Sequence, residues 1–360
     1  MYWGKANRVR IVSVVGARPQ FVKLAPVHLS LTRHDVDHII IHTGQHYDEQ
    51  LSDVFFKQLA LPAPAINLHI GSQTHALQTA KMIEALEPQI TDLAPDWVIA
   101  YGDTNSTLAC AIVCSKLPFR LAHIEAGLRS NNRNMPEEHN RIITDHSSDV
   151  LLAPSETAMQ NLKSEGLQSR SHFVGDVMID ILSKVSDSLN GQHESISSSA
   201  GLNGKFNIAT IHRQENTDSK ARLQQIINHI GNLETPTYIP AHPRLIKCCE
   251  QYSINLNSGN LSPINPLGYR ELVASIIQSQ HVITDSGGLQ KEAHYLGTPC
   301  TTIRTETEWP ETLLGNWNAL TEPEDIGDLV HRPQPTEERG YPYGVGNASD
   351  AITNILCQNN

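Results

Sequence analysis

The stretch GARPQFVK (16–23) sets a glycine after an apolar run, then an arginine, a proline and, further along, a lysine. Proline suits a first helical position, where the amide hydrogen it lacks has no partner. A helix N-terminus offers free N–H groups, and Arg18 and Lys23 add positive charge, so the stretch can hold a diphosphate. TDSGGLQKEAHYLG (284–297) is a second strand-turn-helix of the same build. Its glycines, Gly287 and Gly288, let backbone N–H groups approach an anion closely. Glu292, about a turn further on, is odd for a phosphate but suits sugar hydroxyls. The plain structural alternatives are a turn with two solvated cations, and a helix capped by Asp285 or Ser286.

HIEAGLRSNNRNMPEEHNR (123–141) is richest in acids and bases. Glu125 ends an apolar run, with Arg129 and Arg133 nearby. MPEEHNR reads as a helix start, with Pro136 near its first position and acids in its first turn, which alone accounts for Glu137 and Glu138. Together with Asp103, which closes DWVIAYGD, these carboxylates are candidates for removing and returning a proton. Burial raises a carboxyl pKa and a neighbouring arginine lowers it, so such a cluster can divide the acid and base roles. In ATIHRQEN (209–216) His212 stands at a strand end, although the chain has 18 histidines and one alone carries little weight.

Metal and cofactor motifs are missing. His38, His42 and His46 are evenly spaced but run along a strand and its exit, without HExxH, HxH or a Cys/His pair, so no metal is expected. GVGNA (344–348) lies too near the end to open a dinucleotide-binding unit, and no GxxxxGK[ST] occurs.

The elements that must position these residues alternate. VRIVSVVG (9–16), HIIIHTG (38–44), DWVIAYGD (96–103), RLAHIEAG (120–127), SDVLLAPS (148–155), FNIATIH (206–212), PTYIPAHP (236–243) and HVITDSG (281–287) read as strands. Helical stretches lie near 20–33, 74–91, 105–117, 156–165, 218–233, 268–278 and 288–296. This predicts an α/β chain with parallel sheets covered on both faces. Residues 181–204, and above all the Ser-, Gly- and Asn-rich stretch 186–204, read as a linker or surface loop. At 360 residues, the chain is expected to form about two domains. They are expected at 1–180 and 205–342, doubly wound and facing each other across a cleft, with ligands beyond the carboxyl ends of the strands.

Hydrophobic residues make up 39% and charged residues 18%, as in a globular protein. The net charge of −11 gives no general attraction to nucleic acid or anionic membrane. Six cysteines without a CxxC imply reduced thiols, and the first apolar run is too short for a signal peptide or membrane span, so a cytoplasmic protein is expected.

GARPQFVK, TGQHYD, GDTNSTLA, HIEAGLRS, MPEEHNRIITDH, VGDVMID, HRQEN, AHPR, TDSGGLQKEA and PYGVG together resemble the UDP-N-acetylglucosamine 2-epimerase family, over almost the whole chain and in the family's order. The resemblance implies the glycosyltransferase-B architecture of two Rossmann-like domains, with a C-terminal helix (343–360) returning to the first domain, no cofactor, and a homodimer. It implies elimination of UDP across C1–C2 of the sugar and re-addition after protonation on the opposite face. Asp103, Glu125 and Glu137 would then be acid/base residues assisted by His212. Arg18, Lys23, Arg141, His242, Ser286, Gly287, Gly288, Glu292 and Arg304 would bind the UDP-sugar. The chain departs from the family at HRQE, where Gln214 replaces an arginine, and at ETEWPE, where Trp309 does. Both resemble the branch acting on UDP-2,3-diacetamido-2,3-dideoxyglucuronic acid. A hydrolysing epimerase, a glycosyltransferase of the same architecture and a silent UDP-sugar sensor are the alternatives.

Overall fold

The computed structural model describes residues 8–45 and 61–358. His46 lies outside the described residues. The chain divides into one unit of Met1–Ile181 with Pro342–Asn360, and a second of Leu182–Tyr341.

The first unit runs β1 (Arg10–Val15), α1 (Arg18–Thr32), β2 (Asp37–His42), β3 (Ile66–Asn67), α2 (His75–Leu93), β4 (Trp97–Tyr101), α3 (Asn105–Cys114), β5 (Arg120–Ile124), α4 (Pro136–Ser147), β6 (Val150–Ala153), α5 (Glu156–Ser164), β7 (Ser171–Phe173) and the start of α6 (Val177–Ser188), whose remainder belongs to the second unit. Its seven strands are parallel, in the order β3-β2-β1-β4-β5-β6-β7. The two-residue period of a strand divides the core between the faces. Ile11 and Val15 of β1 join Phe21 and Leu24 of α1, while Val12 and Val14 join Met82 and Leu86 of α2. Strands buried on both sides read as unbroken apolar runs, which is why β1, β4 and β5 stand out in the sequence.

The second unit continues with α7 (His193–Ser199), β8 (Asn207–Thr210), α8 (Gln214–Thr217), α9 (Lys220–Gly231), β9 (Thr237–Pro240), α10 (Pro243–Tyr252), β10 (Leu261–Ile264), α11 (Tyr269–Gln278), β11 (His281–Thr284), α12 (Gly287–Leu296), β12 (Cys300–Thr302), β13 (Asn318–Leu320) and α13 (Ile326–Val330). Its sheet is parallel, in the order β10-β9-β8-β11-β12-β13. Ile208 and Val282 face α11 and α12, and Ala209 and Ile283 face the opposite core. Both sheets are Rossmann-like. The strand order reverses between β1 and β4 in one and between β8 and β11 in the other, and a crevice opens at such reversals.

The final helix, α14 (Ala348–Gln358), packs in the first unit. Asp180 accepts the Ala348 and Ser349 amides at 2.9 and 2.7 Å, and Trp97 Nε1 donates to the Leu356 carbonyl at 3.0 Å. The stretch expected as a linker is largely helical instead. α6 reaches Ser188, α7 packs on α11, and Leu182, Leu189 and Leu202 are buried. These anchors are isolated among Ser, Gly and Asn, so no apolar period betrays them.

Candidate active site

In the first unit the candidate residues gather where the strand order reverses. β1 ends at Gly16, where a Cβ would lie 2.0 Å from Thr43 Oγ1 and 2.2 Å from Ser106 Oγ, so only glycine fits. Three of the amides around the start of the helix that follows are already taken. Gln20 Oε1 takes the Gly16 and Ala17 N–H groups at 2.7 and 3.0 Å, and the Gln20 amide bonds to the Ala17 carbonyl. Pro19 has no N–H. Positive charge here therefore comes from side chains. Arg18 is exposed at the first position of α1, and Lys23, one turn in, forms an ion pair with Glu125.

Glu125 lies just past β5 with a left-handed φ of +73°. It shares its surroundings with the turn after β4, since a Cβ on Gly102 would lie 3.1 Å from Lys23 Nζ and 3.4 Å from Glu125 Oε2. The next residue, Asp103, is bound by Arg141 through Nη2 at 2.7 Å and Nε at 2.9 Å, and Asn140 donates to its carbonyl at 2.8 Å. Lys23, Asp103, Glu125 and Arg141 thus form one cluster of alternating charge.

Glu137 sits half-exposed in the first turn of α4. The acid that turns inward there is Glu138. It accepts from the Ser130 amide and hydroxyl and the Asn131 amide, each at 2.9 Å, and from Arg141 Nη1 at 2.9 Å. Burial opposes its charge, but these donors outweigh burial and hold the carboxyl below its usual range. Glu138 is thus the second carboxylate on Arg141. Glu137 and Glu138 lie four and three residues before Arg141, both helical pairing distances, so spacing alone did not single out Glu138.

In the second unit His212 follows β8 and Asp285 follows β11. Asp285 is fully buried and does not cap α12. It accepts the His212 and Arg213 amides at 3.0 and 2.9 Å, Asn216 Nδ2 at 3.2 Å and His212 Nδ1 at 3.0 Å. Burial alone would raise its pKa, but these bonds bring it below the usual carboxylate range. Ser286 holds the capping position of α12 without a side-chain cap bond, followed by half-buried Gly287 and exposed Gly288. His242 caps α10, accepting the Arg244 amide at 3.1 Å, and its ring lies 5.6 Å from that of His212. Glu292 takes the Tyr269 hydroxyl at 3.0 Å. Arg304 makes a two-pronged pair with Glu308 at 2.9 and 3.0 Å, and that arginine brings the Glu308 carboxyl down to about 2 despite burial. Trp309 lies against this turn. A Cβ on Gly287 would meet its Nε1 at 3.2 Å, and Lys291 Nζ sits 3.5 Å from its ring centroid. Among the described residues no group of three or more His, Cys, Asp or Glu could hold a metal ion, and no helix is long and apolar enough to cross a membrane.

A family model described as UDP-N-acetylglucosamine 2-epimerase matches residues 30–357. A Methanococcus maripaludis protein, described as a UDP-N-acetylglucosamine 2-epimerase homolog, is 44% identical over 355 residues, covering 97% of this chain and 99% of its own length. The UDP-2,3-diacetamido-2,3-dideoxy-D-glucuronate 2-epimerase of Pseudomonas aeruginosa is 39% identical over 368 residues, covering 97% and 100%. The crystal structure of the Methanocaldococcus jannaschii UDP-GlcNAc 2-epimerase, in complex with UDP-GlcNAc and UDP, superposes with a TM-score of 0.84 at 36% identity, covering 97% and 100%. The chain belongs to the UDP-N-acetylglucosamine 2-epimerase family.

Proposed function

We propose that this chain is a non-hydrolysing epimerase that interconverts UDP-N-acetylglucosamine and UDP-N-acetylmannosamine. The observation that carries this reading is the pair of half-buried carboxylates at the reversal of the first sheet, Glu125 on Lys23 and Asp103 on Arg141. The C2 proton of the sugar is not beside a carbonyl, so direct deprotonation is very hard. Eliminating UDP across C1–C2 avoids that carbanion, and protonating the resulting glycal on the opposite face before UDP returns inverts C2. Inversion needs proton-transferring groups for both faces, and Asp103, Glu125 and Glu137 are the candidates. In the second unit His212, with Ser286, Gly287 and Gly288, holds the diphosphate as leaving group and nucleophile. Glu292 meets the ribose hydroxyls, while Arg18, Arg141, His242 and Arg304 complete the binding set.

The test is incubation with UDP-N-acetylglucosamine in heavy water. The manno epimer should form, still UDP-linked and carrying deuterium at C2. Product without deuterium sinks the elimination mechanism, and free N-acetylmannosamine with released UDP would mean hydrolysis. A second reading, UDP-2,3-diacetamido-2,3-dideoxyglucuronate as substrate, is favoured by Trp309 packed on Lys291 beside the glycine turn and by the 39% identity to the Pseudomonas enzyme. The same incubation with that sugar decides between them by relative kcat/KM.

A further inference from the structure

Asp103 and Glu125 are carried by two turns whose backbone is left-handed, with φ of +61° at Gly102, +73° at Glu125 and +83° at Gly127. A non-glycine residue keeps such a conformation only where its surroundings hold it. One buried group grips both turns. His123 of β5 is fully buried, with Nε2 2.7 Å from the Gly102 carbonyl and Nδ1 2.7 Å from Asp145 Oδ1. Asp145, on α4, is also fully buried, and its Oδ2 takes the Gly127 amide at 3.0 Å and Arg129 Nη1 at 2.8 Å. Arg129 reaches on to Glu165 at 2.7 Å, which also meets His146 at 2.9 Å. Burial alone would raise the Asp145 pKa, but His123 and Arg129 pull it below the usual range, so it is a carboxylate. A carbonyl can only accept, so Nε2 of His123 donates to Gly102, and Nδ1 faces Asp145. The Gly102 carbonyl belongs to the same peptide as the Asp103 amide, so the grip acts one bond from the residue that carries the acid.

We propose that His123 is a positioning residue for the proton transfers. Its ring, anchored by Asp145, fixes the Gly102–Asp103 peptide and, through Asp145, the Gly127 end of the Glu125 turn. Both carboxylates are thereby held at one spacing. This rests on the epimerase reading above.

The test is His123→Gln, whose donors share one nitrogen and cannot reach both partners as two separate ring nitrogens do. Turnover and C2 deuterium incorporation should fall together by about 10²-fold, the effect of misplacing a catalytic group by about 1 Å. KM and UDP affinity should stay within about threefold, because ground-state binding is not what the grip serves. Wild-type turnover, or a fall matched by an equal loss of UDP affinity, overturns the proposal. Should the variant not fold, nitrogen-15 histidine NMR of the wild-type protein decides. One histidine Nε2–H in slow exchange, as a buried ring held by the Gly102 carbonyl requires, is expected, and its absence overturns the proposal. Failure of the epimerase reading looks different, since the wild-type protein itself would then exchange no C2 proton of either UDP-sugar.

Discussion

At the same place in its sheet, each unit uses a buried or half-buried carboxylate in a different way. In the first unit Glu125 and Asp103 each keep a cation, Lys23 and Arg141, in a cluster whose charges alternate. In the second unit Asp285 is wholly enclosed and spends its bonds on the backbone and ring of His212, the Arg213 amide and Asn216. An acid that is only half-buried beside a cation remains able to exchange a proton with a ligand. A sealed one fixes a turn. On the proposed mechanism, the first arrangement suits proton transfer and the second suits a rigid grip on the diphosphate.

The comparison breaks most easily at Glu125. Glu125→Gln keeps the shape and removes the carboxylate, so on the proposed mechanism turnover should fall by about 10³-fold, within the usual span for general acid–base groups. Asp103→Asn should behave similarly, and UDP affinity measured by calorimetry should hardly change for either. Loss of UDP affinity as large as the loss of turnover would mean that the first unit grips as well, and the division of labour would fail.

Much of this placement was legible in the sequence, because residues at the ends of buried parallel strands are both conspicuous and well placed. Asp103, Glu125 and His212 were found that way, whereas Asp285 was read only as a possible helix cap. The strands that escaped notice are short or lie at edges. β3 has only two residues, β7 has three with exposed Phe173, and β10 carries Pro263, which an edge strand tolerates. The side-chain partnerships were less legible. Nothing in MPEE separates Glu137 from Glu138 until the helix turns one of them inward onto Arg141. Gln20 looks like a neutral helix residue, yet it takes the amides that an anion would have used at GARPQ. His123 and Asp145 are 22 positions apart, and only the packing of α4 on its sheet makes them neighbours.

Asp285→Asn probes the second unit. The amide keeps one oxygen for the backbone but brings two donors into a place built for an acceptor, loosening His212. UDP affinity should fall by about tenfold, the worth of one hydrogen bond to a charged group. The same variant changes the acid response. The folded pKa of Asp285 is depressed, so its stabilising contribution is complete above about pH 4, where unfolded-chain carboxyls ionise, and fades as pH falls through the lower folded value. Acid titration of the fluorescence of Trp309 and Trp317, in a form without the other tryptophans, should therefore show a shallower loss of stability in Asp285→Asn. An unchanged acid transition would mean that Asp285 does not hold the turn.

The smallest effect is expected at Gly288, and there the signs of stability and binding should separate. A Cβ at this position would find only Ser286 Oγ, at 3.9 Å, and Gly288 is the second residue of α12. Alanine in a helix costs less conformational entropy than glycine, so Gly288→Ala should raise stability by up to about 1 kcal/mol in denaturant titration. If backbone amides of this turn approach the diphosphate closely, the added methyl group stands in its way, and UDP affinity should fall by about three- to fivefold, or somewhat under 1 kcal/mol. Gly287→Ala would not separate the two effects, because its Cβ would press on Trp309 Nε1 at 3.2 Å and disturb the turn itself. A Gly288→Ala protein that is more stable and binds UDP as well as the wild type would show that the diphosphate does not lie on this turn. The grip assigned to the second unit would then belong to His212 and its neighbours alone.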